Sequence, residues 1–174
     1  MVDDDDAYLK AFVAYLQEMA ETAMVDIVTF AEPHTALDYI HQNHEQISVI
    51  VMDYSMNKLD GLELIHLIEK PGRNYQIILL SGQINRTVTE TARHLNIFDV
   101  IEKRTPTAEI IEKRTPTAEI IESVRKAHSF YENRQSRILN IEERLASEGK
   151  LIEQNKQLEY SIYHGIVGAG PDFI

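Results

Sequence analysis

Four polar features of this 174-residue chain have the types and positions to do chemistry together. Asp3-Asp4-Asp5-Asp6 follows Met1 and Val2, and Asp53 directly follows Ile50-Val51-Met52. Ser81-Gly82 follows Ile77-Ile78-Leu79-Leu80, and Lys103 comes just after Val100-Ile101. Crowded carboxylates repel one another, and a hard divalent cation with oxygen ligands relieves that repulsion. A carboxylate such as Asp53 can carry a phosphoryl group as a mixed anhydride. A lysine ammonium would then offset charge on the phosphoryl oxygens, while a serine hydroxyl donates a hydrogen bond to one of them. Each feature also has an ordinary reading. An aspartate run caps a helix, and Asp, Lys or Ser-Gly after a strand makes a turn. The conjunction carries the weight.

The elements needed to bring these residues together are legible. Val25–Phe30, Ile47–Met52, Gln76–Leu80 and Ile97–Ile101 are short and rich in β-branched residues, which predicts strands. The second and third are almost wholly apolar, as strands covered on both faces must be. Leu9, Phe12, Val13 and Leu16 share one helical face, as do Leu62, Ile65 and Ile68. Pro33 suits the first turn of a helix carrying Ala36, Leu37 and Ile40, and Pro71-Gly72 stops the helix before it. Alternating β and α with short connections predicts a parallel sheet between helices. In such a sheet, the crevice beyond the carboxyl ends of the strands binds ligands, and all four polar features converge there. Met1 and Val2 are too few for a full first strand, so that strand is expected to be truncated or to begin upstream.

Two further patterns mark the second half. Residues 101–110 and 111–120 both read IEKRTPTAEI, and only one copy can form the strand-to-helix junction. The second copy would put Pro116 inside a helix, at about 3 kcal/mol, unless the helix starts there. Beyond Ile120, Val124, Tyr131, Ile138, Leu145 and Ile152 recur every seven residues, with Ala127 and Ile141 at the second seam position. Arg134, Glu148 and Asn155 occupy the rest of that seam. The pattern predicts an imperfect coiled coil, weakened at Gly149, or else a single helix packing back on the domain. Gly165–Pro171 is expected to break the helix.

Composition narrows the function classes. An apolar content of 44% with 7 glycines and 5 prolines fits a folded protein. Without cysteines there are no disulfides or thiolate metal sites, and a reducing cytoplasm is the natural setting. A net charge of −11 would repel nucleic-acid phosphates, so direct nucleic-acid binding is not expected. No apolar run approaches the roughly 18 residues of a membrane span, and the acidic start does not read as a signal peptide. His34, His41 and His44 lie close in sequence but lack a carboxylate arrangement that demands a metal, so they read as solvated. No glycine-rich phosphate loop or nucleophile elbow is present.

From Val2 to about His128 the chain resembles the receiver domain of two-component response regulators. The resemblance rests on Val2-Asp3-Asp4-Asp5, Met52-Asp53-Tyr54-Ser55-Met56, Asp60-Gly61, Leu80-Ser81-Gly82, and Lys103 followed by Pro106. The intervals of 28 residues from Asp53 to Ser81 and 22 from Ser81 to Lys103 agree with the family pattern and select Lys103 over Lys113. The resemblance implies a flavodoxin-like, doubly wound α/β fold: a five-stranded parallel sheet, its first strand incomplete, followed by a long C-terminal helix. It implies Asp53 as phospho-acceptor, with Ser81 and Lys103 touching the phosphoryl group. Mg²⁺ would be held by Asp3, Asp4, Asp53 and the backbone carbonyl of Ser55. The acidic pair could instead be Asp4 and Asp5. Asn57 stands where the family usually has proline, and Val100 where many members place an aromatic switch residue. Lys103 is not followed directly by proline.

The implied organisation is a receiver at 1–123, a helical coiled-coil linker at 124–163, and a tail or the start of a truncated output domain at 164–174. His164-Gly165-Ile166-Val167-Gly168 resembles the entry to the AAA+ domain of enhancer-binding activators, while a cyclic-nucleotide or kinase output fits equally well. The expected function is a signalling domain rather than an enzyme, acting in the cytoplasm. It would accept a phosphoryl group on Asp53 from a histidine kinase or phosphotransfer protein and signal through a homodimerising helix. The alternative is a pseudo-receiver that dimerises without phosphorylation. A phosphatase of similar layout would need a second aspartate two residues after the nucleophile, where this chain has Ser55.

Overall fold

The computed structural model describes residues 1–19, 26–69, 73–103 and 116–168, with side chains described at 1–14, 26–69, 73–103 and 118–161. Elements follow in the order α1 (Asp6–Met19), α2 (Pro33–Asn43), β1 (Val49–Asp53), α3 (Gly61–Ile68), β2 (Gln76–Ser81), α4 (Arg86–His94), β3 (Asp99–Glu102) and α5 (Pro116–Gly168). Two compact units result, Met1–Tyr131 and Glu132–Ile174.

Period-two alternation in the strands builds the first unit. The three strands are parallel in the order β1-β2-β3, with Asp53 level with Leu80, and Ser81 level with Glu102. Ile50, Met52, Ile77 and Leu79 face one side and meet Ala36 and Ile40 of α2, Leu64, Ile65 and Ile68 of α3, and Val88 of α4. Val51, Ile78, Leu80 and Ile101 face the other side and meet Phe12 of α1 and Ile120 and Ala127 of α5. Both faces of the sheet are thus covered, which is why its strands read as apolar runs.

The expected five-stranded sheet is three strands plus two single-residue bridges. Val2 pairs in parallel with both Phe30 and Met52. Its N–H donates to the Val51 carbonyl at 2.9 Å, and its carbonyl accepts from Asp53 N–H at 2.9 Å. Phe30 N–H donates to Met1 O, and Asp3 N–H to Phe30 O. Val2 thus bridges both neighbours where a first strand would stand, with helix α1 beginning at Asp6. Of the predicted strand at 25–30 only Phe30 bridges; residues 26–29 form none, and Val25 lies outside the described residues.

Leu9 and Phe12 are buried on α1 as their spacing predicts, while the Leu16 side chain lies outside the described set. Pro33 opens α2 and Asp60 caps α3 in a capping box with Glu63. Pro71, Gly72, Pro106 and Lys113 lie outside the described residues. The second repeat copy does not break a helix, because α5 starts at Pro116, where a missing N–H costs nothing. Within the stretch Gly165–Pro171 expected to break the helix, α5 runs past the first glycine and is described as far as Gly168, since each helical glycine costs only about 1 kcal/mol relative to alanine. Residues 169–174 lie outside the described set.

Gly61 is a packing requirement. A Cβ there would stand 2.3 Å from the Asp53 carbonyl oxygen and 3.1 Å from Tyr54 Cα. Neither backbone atom can yield without moving the end of β1. Gly61→Ala should therefore lower unfolding free energy by about 3 kcal/mol, read as a lower urea midpoint at unchanged slope; a wild-type midpoint would contradict this.

Candidate functional site

Each site residue is fixed by backbone before its side chain does anything. Asp3 is held by the Val2 bridges and by its own N–H to Phe30 O. Asp53 ends β1, with its N–H on Val2 O. Ser81 ends β2, and Lys103 follows β3 with its N–H bonded to the Ser81 carbonyl at 2.7 Å. The carboxyl ends of three strands and one bridging residue thus set four side chains side by side.

Lys103 ties the acids together. Its Nζ donates to Asp3 Oδ2 at 2.7 Å and to Asp53 Oδ2 at 3.0 Å. Asp3 is fully buried and Asp53 only 4% exposed. Carboxylate oxygens of Asp3, Asp4 and Asp53 lie within 4.8 Å of one another. Three acids at that spacing with one ammonium leave a surplus of negative charge, a donor set that fits a hard divalent cation. Burial pushes the Asp53 carboxyl above its ordinary value; the hydrogen bond from Lys103 opposes this, and the Asp3 charge adds to it. Burial works against the Lys103 charge, but hydrogen bonds and charges from Asp3 and Asp53 outweigh it, and its pKa is raised.

The aspartate run divides its labour. Asp5 Oδ1 accepts from the N–H groups of Ala7 and Tyr8, capping α1 at 3.0 and 3.1 Å. Asp5 is thus turned to the helix, while Asp3 and Asp4 stand with Asp53. Ser81 is brought to the same edge and is buried, but its Oγ donates to Gln83 O at 2.7 Å. Ser55 adjoins this group in the loop after β1, and its backbone bonds Asp53. Val100 is partly buried against the α2–α3–α4 side and offers no ring near Ser81. Among the described residues, the histidines at 34, 41 and 44 join no group able to hold a metal.

Sequence reasoning missed Tyr8. Its ring lies beneath the Lys103 ammonium, 4.6 Å from centroid to Nζ. Such contacts favour the charged amine. Its hydroxyl is buried with no hydrogen-bond partner among the described residues, and burial raises its pKa. The only sequence signal was an aromatic residue two positions past the acidic run. Asn57 was singled out only as a departure; its N–H and Nδ2 both donate to Asp4 Oδ2, at 2.8 and 2.7 Å.

The raised Asp53 pKa has a consequence for stability. A carboxyl that holds its proton more tightly in the folded state costs stability as pH rises from the ordinary value of 3.8 through the raised one, and the cost persists above it. In Mg²⁺-free buffer Asp53→Asn should therefore raise the melting temperature at pH 7, with the gain shrinking below about pH 4. A variant less stable than wild type at pH 7 would contradict it.

A family model described as "Response regulator receiver domain" matches residues 1–115. A search of curated proteins gives no match. Among solved structures, a response regulator receiver protein from Pseudomonas putida is 25% identical, with a TM-score of 0.56, over 72% of this chain and 92% of that one. A receiver domain protein from Methanospirillum hungatei is 16% identical, with a TM-score of 0.61, over 76% and 94%. One from Clostridium thermocellum is 19% identical, with a TM-score of 0.59, over 79% and 94%. The last two speak to the fold alone.

Proposed function

The chain belongs to the response regulator receiver domain family, and from that premise we propose that it is a phosphorylation switch whose acceptor is Asp53. The observation that carries this reading is the Lys103 ammonium bonded to both Asp3 and Asp53 beside a third carboxylate. A lone buried carboxylate would be a poor nucleophile, because burial favours its neutral form. Lys103 opposes that and stands ready to meet charge on an incoming phosphoryl group. Held by Asp3, Asp4, Asp53 and the Ser55 carbonyl, Mg²⁺ would supply positive charge to the phosphoryl oxygens. An Asp53 carboxylate oxygen attacks phosphorus as the P–N bond of a partner's phosphohistidine breaks. The electron pair leaves with the imidazole, which takes up a proton. Ser81 Oγ then gives up Gln83 O and donates to a phosphoryl oxygen, drawing the loop after β2 inward.

A histidine kinase or phosphotransfer protein is the proposed donor, in the cytoplasm. Among the described residues no helix is long and apolar enough to cross a membrane. A module acting without phosphorylation is not favoured, since the acids and the lysine it would not need stand in one bonded array. On this reading 1–123 is the receiver, 124–163 the linker, and 164–174 a tail or the start of an output domain. Signalling passes to a homodimer formed by the second unit, where Ile141, Leu145, Leu151, Ile152 and Leu158 are each more than half exposed. Val124 and Ala127, the first seam positions, pack instead on the receiver core.

Incubation with acetyl phosphate and Mg²⁺ should label the wild-type chain. Asp53→Ala should abolish labelling, and Lys103→Ala should slow it by about a hundredfold, the scale of losing one charge-stabilising group. Persistent labelling of Asp53→Ala would overturn the assignment. Leu145→Glu with Ile152→Glu should leave the fold intact and shift sedimentation from dimer to monomer; an unchanged dimer would place the contact elsewhere.

A further inference from the structure

We infer that Asn57 is a positioning residue for the cation site, holding Asp4 in place where Lys103 does not reach. This rests on the reading of Asp3, Asp4 and Asp53 as a Mg²⁺ site. The three carboxylates lie within 4.8 Å and repel one another. Lys103 Nζ engages Asp3 and Asp53. Asp3 gains a second bond from Asp5 N–H to Oδ1 at 3.0 Å. Asp4 is less buried than either, so solvent could draw it out of the cluster. Its restraint is Asn57, whose N–H and Nδ2 converge on Oδ2 from 53 residues away.

Two donors on one oxygen hold the carboxylate by Oδ2, and Asn57 places no bond on Oδ1. Hydrogen bonds to ligating carboxylates raise metal affinity by orienting the ligand in advance. Both bonds depend on the residue at 57. Proline has no N–H and no side-chain donor, so it could make neither. Alanine would keep the backbone bond and lose the other. Asn57 itself is exposed, so replacing it removes little packing. The device couples the loop after β1 to the acidic run before α1, and these are the two segments that must supply the cation's ligands.

The test is Mg²⁺ titration of the full chain by calorimetry, without phosphodonor, with thermal melts in Mg²⁺-free buffer as a check on folding. Asn57→Ala should weaken Mg²⁺ binding by about tenfold, and Asn57→Pro by more, within the range seen when outer-shell partners are removed. The Mg²⁺-free melting temperature of Asn57→Ala should match wild type, so a weaker affinity cannot reflect a weaker fold. Should Asn57→Pro fail to fold, Asn57→Ala decides alone. Wild-type affinity, or tighter binding, in a folded Asn57→Ala variant would overturn the inference while leaving the site reading intact. No Mg²⁺ binding by the wild-type chain would overturn the site reading, and the inference with it.

Discussion

The bond from Lys103 to two buried acids is the constraint on which the rest of the first unit turns. Asp3 and Asp53 are almost out of water, where an unpaired carboxylate is costly, and a single ammonium serves both. That arrangement demands that the end of β3, the end of β1 and the residue after Val2 meet. The backbone meets the demand with few residues: Val2 spans two neighbours at once, and the Lys103 N–H is anchored to the Ser81 carbonyl. The two apolar clusters, one on each side of the sheet, hold these strand ends in register.

Charge balance explains why the site is poised rather than satisfied. Three carboxylates stand together with one ammonium that bonds two of them, so a cation would find complementary partners already oriented. Tyr8 adds a ring face to the ammonium, and Asn57 adds two neutral donors to the acid that the lysine leaves out. Gly61 lets the loop that follows Asp53 return close enough for Gly61 N–H to reach Tyr54 O at 2.9 Å. Ser81 rests on Gln83, a bond that a phosphoryl oxygen could replace. On the proposed reading, with Val100 where many receivers place an aromatic ring, motion of the Ser81 loop would pass the change outward.

Much of this was legible in the residues because it depends on local pattern. Apolar runs marked β1, β2 and β3, Pro33 marked a helix start, and strand-end positions put Asp53, Ser81 and Lys103 on one edge. What escaped depends on distance in the chain. The division of the aspartate run was legible only in part: Asp3 and Asp4 were the expected pair and Asp4 and Asp5 the alternative, and the choice turns on Asp5 pointing at the α1 backbone. Asn57 read as a missing proline, because its partner lies 53 residues away. The strand predicted at 25–30 contributed one bridging residue, since β propensity cannot say how much of a run will find a partner. The glycine-rich stretch from 165 marked the region where α5 stops being described, but not the residue, because a single helical glycine costs only about 1 kcal/mol.

The central claim concerns where a phosphoryl group goes. Mass mapping after treatment with acetyl phosphate and Mg²⁺ addresses it most directly. The account predicts a single phosphoryl group on the peptide containing Asp53, removed by hydroxylamine as an acyl phosphate must be. A hydroxylamine-resistant phosphoryl group, or one carried by a peptide that lacks Asp53, would contradict it.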